Sequence, residues 1–290
     1  MTEDKEQKKG LKSPKAWIKL AITIVLSALV VISQAIATTF AFRLKIPPLF
    51  MTAVGEAIPL TLGIILMIVL GGKEWLRIDK ESVRYAFKEG WPFLILGVFA
   101  SASVVIRSIR NGTPLAQGFL VNLIGVILTT FLIGFFEEVL YRGLTFGSLL
   151  NVFGGSRVLI MCVVLFSAWT FGRVHVPSMS LENTSIFLQS LLKVIQTAMF
   201  GITLCEIVLH TNNLGGATLL HASNDFLLMF TDAIFEGKTA TGEYTTSDTE
   251  AGKLVIIVYL IMIAVNLYPT IRSIIKIWKE YSECYGPFAD

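Results

Sequence analysis

The side chains of this 290-residue chain best suited to chemistry are ionisable groups set inside apolar segments. They fall in three clusters: Phe135-Phe136-Glu137-Glu138-Val139-Leu140-Tyr141-Arg142-Gly143, Phe171-Gly172-Arg173-Val174-His175, and His221-Ala222-Ser223-Asn224-Asp225. An ionisable group in hydrocarbon is costly, so it faces a bundle interior or a wet cavity. Carboxylates and imidazoles there can take a proton from a bound water, because a carboxylate in low dielectric is a better base. Imidazole N–H groups aimed at developing negative charge would stabilise a transition state.

Helical spacing separates the roles within the first cluster. Glu138 and Arg142 are four residues apart and share a helical face, so the guanidinium can neutralise one buried carboxylate. Glu137 points about 100° away and is open for chemistry. The alternative is that both glutamates form a structural network with Arg142. His221 and Asp225 are likewise four apart on one face. His210 sits at the end of its apolar segment beside a turn and reads as interfacial. Lys193 and Glu206 lie in that same segment, too far apart to pair with each other, and their partners cannot be assigned from spacing.

The elements that must position these groups are membrane spans. Apolar residues make up 54% of the chain and charged ones only 16%, against about 25% in soluble domains. Mean hydropathy is +0.70. Several apolar runs exceed the roughly 18 residues needed to cross hydrocarbon, so a soluble protein is excluded. The fold class expected is all-α, a polytopic membrane protein with about eight transmembrane helices. The spans read as 17–41, 51–71, 92–107, 117–150, 156–172, 186–210, 215–235 and 253–276, with an amphipathic segment over 73–90 and a solvated loop over 236–252. Asn151, Gly154 and Gly155 break the fourth span, and Asn212, Asn213, Gly215 and Gly216 form a tight turn. No repeat or linker divides the chain. It is read as a basic segment over 1–16, one membrane domain over 17–280 and a tail over 281–290.

Lys5, Lys8, Lys9, Lys12, Lys15 and Lys19 crowd the amino terminus. They read as a positive-inside signal rather than a nucleic-acid tail, so no nucleic-acid partner is expected. On alternate sides of the spans, the inner segments hold sixteen Lys and Arg and the outer loops seven. Both termini are therefore expected in the cytoplasm. Ala35-Ile36-Ala37 imitates a signal-peptidase site, but the apolar run continues past it and a retained first helix is expected. Cys162, Cys205 and Cys284 are scattered, which implies neither a disulfide framework nor a cysteine zinc site.

The Gly154-Gly155 turn brings the first two clusters together. Glu137 lies 18 residues before Gly155 and His175 20 after it, so both fall about 27–30 Å from the turn. His221 is only eight residues past Asn213, or about 12 Å. The depths agree only if the Gly154-Gly155 hairpin projects beyond the membrane on the cytoplasmic side.

The order Glu-Glu-x-x-x-Arg, Phe-x-x-x-His, His-x-x-x-Asn/Asp resembles the CAAX protease and bacteriocin-processing family, also called Abi, which includes the type II CAAX prenyl endopeptidases. The matching positions are Glu137, Glu138 and Arg142, then Phe171 and His175, then His221 and Asp225, within about 115–235. The resemblance implies a metal-independent glutamate-type endopeptidase of the cell membrane, acting among membrane lipids on a peptide or lipid-modified protein tail. It implies that Glu137 and His175 activate water and that His221 helps hold the oxyanion. The catalytic set is therefore read as Glu137, Glu138, His175, His221 and Asp225, with Arg142, Phe171 and Asn224 as structural support. Asp225 replaces the commoner Asn, and an ionised Asp cannot donate to an oxyanion. It could orient His221, be protonated, or leave donation to Asn224. No cofactor is expected, although Glu137, Glu138, His175, His221 and Asp225 could supply zinc with N/O ligands. A non-catalytic immunity protein or chaperone, or a small transporter, is the reading from another class.

Overall fold

The computed structural model describes residues 14–176, 183–238 and 245–288. Within them the chain is helical throughout: α1 (Pro14–Arg43), α2 (Pro48–Val69), a 3₁₀ turn (Lys73–Leu76), α3 (Lys80–Arg110), α4 (Phe119–Glu138), a π-helix (Val139–Phe146), α5 (Gly147–Phe153), α6 (Arg157–Val174), α7 (Thr184–Thr211), α8 (Gly215–Glu236) and α9 (Thr249–Glu280). The segment α4–π–α5 runs unbroken over Phe119–Phe153, so each of the eight expected spans has its helix. Among the described residues, seven helices are long and apolar enough to cross a membrane. The one that falls short is α8, where His221, Asn224, Asp225 and Asp232 lower the apolarity.

Polar residues at the helix ends act as the sequence suggests. Asp79 caps α3 by accepting from the Ser82 N–H at 2.8 Å, and Asp248 caps α9 through the Ala251 N–H at 2.7 Å. Asn212 ends α7 in the left-handed region, with φ of 48°. Three expectations need correction. The amphipathic segment and the third span are not separate, because α3 runs through Pro92 as one 31-residue helix. The fourth span is not α-helical throughout but widens to a π-helix directly after Glu138. The loop before the last span is shorter than expected, since the Asp248 cap starts α9 at Thr249. Residues 239–244 and the lysines before Pro14 lie outside the described residues.

α7 is the central helix, buried along most of its length between α6, α9 and α3, while α4 packs on α8 and α2. The exposed side chains of α1 and the outer faces of α4 and α9 are mostly Ile, Leu, Val and aromatic residues, as lipid requires. Residues 281–288 fold back across the helix ends. The Cys284 N–H donates to Gly154 O at 2.8 Å, Phe288 packs on Gly72 and Met67, and Lys19 Nζ donates to Phe288 O at 2.8 Å. The start of α1, the Gly154-Gly155 turn and the carboxyl-terminal segment therefore share one face of the molecule. The α7–α8 turn is on this face too, but recessed. Asn213 and Leu214 are buried, and the Leu214 N–H donates to Trp75 O at 2.8 Å. A recessed turn is the direction that the short count from Asn213 to His221 requires.

Candidate active site

Two close backbone approaches assemble the site. Gly134, three residues before Glu137, lies so near α8 that a Cβ there would sit 2.9 Å from the Ala222 nitrogen. No other residue lets α4 and α8 meet at that point, and the contact sets His221 beside Glu138. Gly172, three residues before His175, is equally close to α7, where a Cβ would come within 2.5 Å of the Val194 carbonyl. His175 stands at the end of α6, as its carboxyl-terminal cap.

Glu138 and Arg142 are fully buried and paired at 2.9 Å, so the spacing argument holds across the start of the π-helix. Glu138 Oε1 also accepts from His221 Nδ1 at 2.9 Å. An ionised carboxylate only accepts, so Nδ1 of His221 carries the hydrogen and Nε2 faces away from Glu138. His175 Nδ1 donates to the Phe171 carbonyl at 2.8 Å, which leaves its Nε2 to the site as well. Phe171 is the common support: its ring lies 4.1 Å from the Arg142 guanidinium, 4.8 Å from the His175 ring and 5.6 Å from that of His221. Cation–π and edge contacts of this kind hold the three groups at fixed angles.

The two free imidazole nitrogens converge on one carboxylate oxygen. Glu137 Oε2 is 3.8 Å from His175 Nε2 and 3.7 Å from His221 Nε2, and it makes no direct hydrogen bond. Asp225 Oδ2 is 3.6 Å from the same His221 nitrogen. These separations exceed a hydrogen bond, and one water-sized group can bridge them. Glu137, His175 and Asp225 keep side-chain exposures of about one fifth, while Glu138, Arg142 and His221 are sealed. Asn224 is half-buried next to Asp225. The structure thus brings all five candidate acids and imidazoles together and places Arg142 and Phe171 behind them. Among the described residues, no three His, Cys, Asp or Glu side chains stand at metal-ligand spacing.

Two groups near this cluster were not assigned to it from sequence. Glu56, in α2, is buried and accepts from Gln34 Nε2 of α1 at 2.6 Å, with its charge felt at Glu137. Lys193, in α7, is buried, and the charges of Asp225 and Glu137 act on its ammonium. Each carries a signal that spacing rules within the three clusters overlook: a charge in the middle of an apolar span.

Comparison with known proteins identifies a family region around this site. Residues 119–227 match the family model described as Type II CAAX prenyl endopeptidase Rce1-like, in agreement with the resemblance drawn from Glu137 to Asp225. No curated protein and no solved structure matches the chain. The family match supports a CAAX-type intramembrane endopeptidase in general terms.

Proposed function

We propose that the protein cleaves a peptide or lipid-modified protein tail within the membrane, using water activated by Glu137 and His175. The observation that carries this reading is the convergence of both imidazole Nε2 atoms on Glu137 Oε2 at 3.7 and 3.8 Å, with each Nδ1 tied to a fixed acceptor. Glu137 takes a proton from the water while His175 Nε2 orients it, and the oxygen attacks the scissile carbonyl. The carbonyl oxygen becomes negative, and His221 in its imidazolium form donates Nε2–H to it while Nδ1–H stays on Glu138. Collapse of the intermediate breaks the amide bond, and Glu137 returns its proton to the leaving amine. No metal takes part in this scheme.

In this proposal the chain lies in the cell membrane with both termini, the Gly154-Gly155 turn and the α7–α8 turn in the cytoplasm. The count of Lys and Arg supports this orientation, as does the shared face formed by Lys19, Gly154 and residues 281–288. Cysteine labelling at Thr245 from outside the cell, with no labelling at Gly155, is the expected pattern. Cleavage of membrane-tethered peptides by the purified protein, lost in Glu137→Gln and insensitive to chelators, tests the chemistry. A rate that falls with chelator and returns with zinc would replace the activated-water scheme by a metal-bound one.

A further inference from the structure

Lys193 stands eight residues before Gly201 on α7, and Gly201 abuts the Arg142 guanidinium. Lys193 is in the buried stretch of α7, next to Val194, whose carbonyl faces Gly172 of α6. Two turns further along the same face of α7, Phe200 meets the His221 ring edge-on at 5.6 Å. From that contact α7 and α8 run in opposite directions. Stepping back from Phe200 to Lys193 covers about 10 Å, and stepping forward from His221 to Asp225 about 6 Å, toward the same end of the bundle. Lys193 is thus directed toward the end of the bundle that holds Asp225, within electrostatic range of that carboxyl and of Glu137.

The charge count also favours a further cation there, since Glu137, Glu138 and Asp225 face only Arg142 and the His221 imidazolium of the proposed scheme. Glu138 is matched by Arg142 at 2.9 Å. Asp225 Oδ2 stands 3.6 Å from His221 Nε2, the nitrogen that would hold the oxyanion. An unmatched carboxylate at that distance competes for the same N–H and repels the negative charge forming on the substrate.

We propose that Lys193 is a positioning residue of this site: its ammonium pairs with Asp225, draws the carboxyl away from His221 Nε2 and cancels its charge, leaving that nitrogen to the substrate oxygen. The inference rests on the peptidase reading above, and it gives the acidic residue at position 225 a partner on a different helix.

The test is a four-variant cycle of wild type, Lys193→Met, Asp225→Asn and the double variant, with Lys193→Arg beside it. Rates are expressed per folded molecule, and thermal unfolding is followed in the same detergent. Lys193→Met should lower kcat by about 100-fold, the scale on which oxyanion donors act, with little change in KM. The double variant should return to within about threefold of Asp225→Asn alone, because the pair couples, and Lys193→Arg should keep most of the rate. Lys193→Met at wild-type kcat overturns the proposal. So does a double variant as impaired as Lys193→Met while Asp225→Asn is active, or one that fails to fold where Asp225→Asn folds. Glu137→Gln in the same assay separates the two levels. If no cleavage depends on Glu137, the peptidase reading fails, while non-additive unfolding midpoints in the cycle still measure the Lys193–Asp225 pair. Additive midpoints with additive rates remove the pair itself.

Discussion

Two buried polar clusters stand in this bundle, and they are built differently. The second joins α3, α7 and α9. Tyr85 donates to Glu206 at 2.5 Å and accepts from Lys276 at 2.9 Å, while Lys276 reaches Glu89 at 2.8 Å and Arg272 reaches it at 3.3 Å. His210 stacks on Tyr85 at 3.9 Å and faces Glu280. Glu206 Oε2 apart, each carboxylate oxygen of Glu89 and Glu206 has a partner in direct contact. In the first cluster direct contact stops at Glu138, and Glu137 Oε2 is ringed at 3.7–3.8 Å with no bond of its own. A closed network of buried charges holds helices together. A network left open at one carboxylate oxygen leaves a base that is not committed to a partner.

The largest effect should come from the open end. Glu137→Gln keeps the shape and removes the base, so turnover should fall on the order of 10³-fold. The unfolding midpoint should stay close to the wild-type value, because the buried Oε2 has no direct hydrogen bond to lose. A large drop in stability would place Glu137 in the structural half of its cluster and erase the contrast. Arg142→Ala attacks the closed half. It strips Glu138 of its buried partner and Phe171 of the guanidinium at 4.1 Å, which should cost about 3–5 kcal/mol of stability. Adding Glu138→Gln should recover part of that loss in chemical denaturation. If Arg142→Ala folds normally and loses only activity, Arg142 belongs with the reacting groups.

Sequence spacing went further for the first cluster than for the second, for a physical reason. Glu138–Arg142 and His221–Asp225 are pairs within a single helix, and helical periodicity alone places them on one face. The Glu137–His175 contact followed from counting residues to a glycine turn. The second cluster is assembled from residues on three helices, with Tyr85 and Lys276 separated by 191 positions, and no local period reports such a contact. Glu56, Gln34 and Lys193 are hidden in the same way. The π-helix escapes as well, since no residue type in Val139–Phe146 forces the wider turn. Seven of the eight runs, by contrast, are readable because lipid demands unbroken hydrophobic length, and α8 is bounded instead by the turn at Asn212–Gly216. His221 illustrates the boundary: its spacing suggested Asp225 as the group that orients it, whereas Glu138, on another helix, holds Nδ1 at 2.9 Å.

The second cluster offers the converse experiment. Lys276→Met leaves Glu89 to Arg272 and Glu206 to Tyr85, so the loss should be partial, about 2 kcal/mol. Turnover per folded molecule should not change. A Lys276→Met enzyme of normal stability and reduced kcat would mean that the clamp communicates with the open site, and the two clusters would have to be treated as one.

The smallest effect tests what a charged group contributes when water reaches it. Asp79 caps α3 with a half-exposed side chain, accepting from the Ser82 N–H at 2.8 Å and from Asn213 Nδ2 at 2.5 Å, so it also ties the start of α3 to the recessed α7–α8 turn. The Ser82 N–H, with lesser help from the Arg77 guanidinium, holds the Asp79 carboxyl below its ordinary value of 3.8. A carboxyl depressed in the folded protein adds stability above its unfolded value, and the gain disappears as pH drops through the folded one. Asp79→Asn is the discriminating variant, because Asn caps a helix about as well as Asp and only the charge is lost. The wild type should therefore unfold at a slightly higher temperature than Asp79→Asn from pH 7 down to about 5. The gap should close as the pH falls below 3.8. A gap that widens on acidification would show that the protonated form is the stabilising one, and the cap would then owe nothing to its charge.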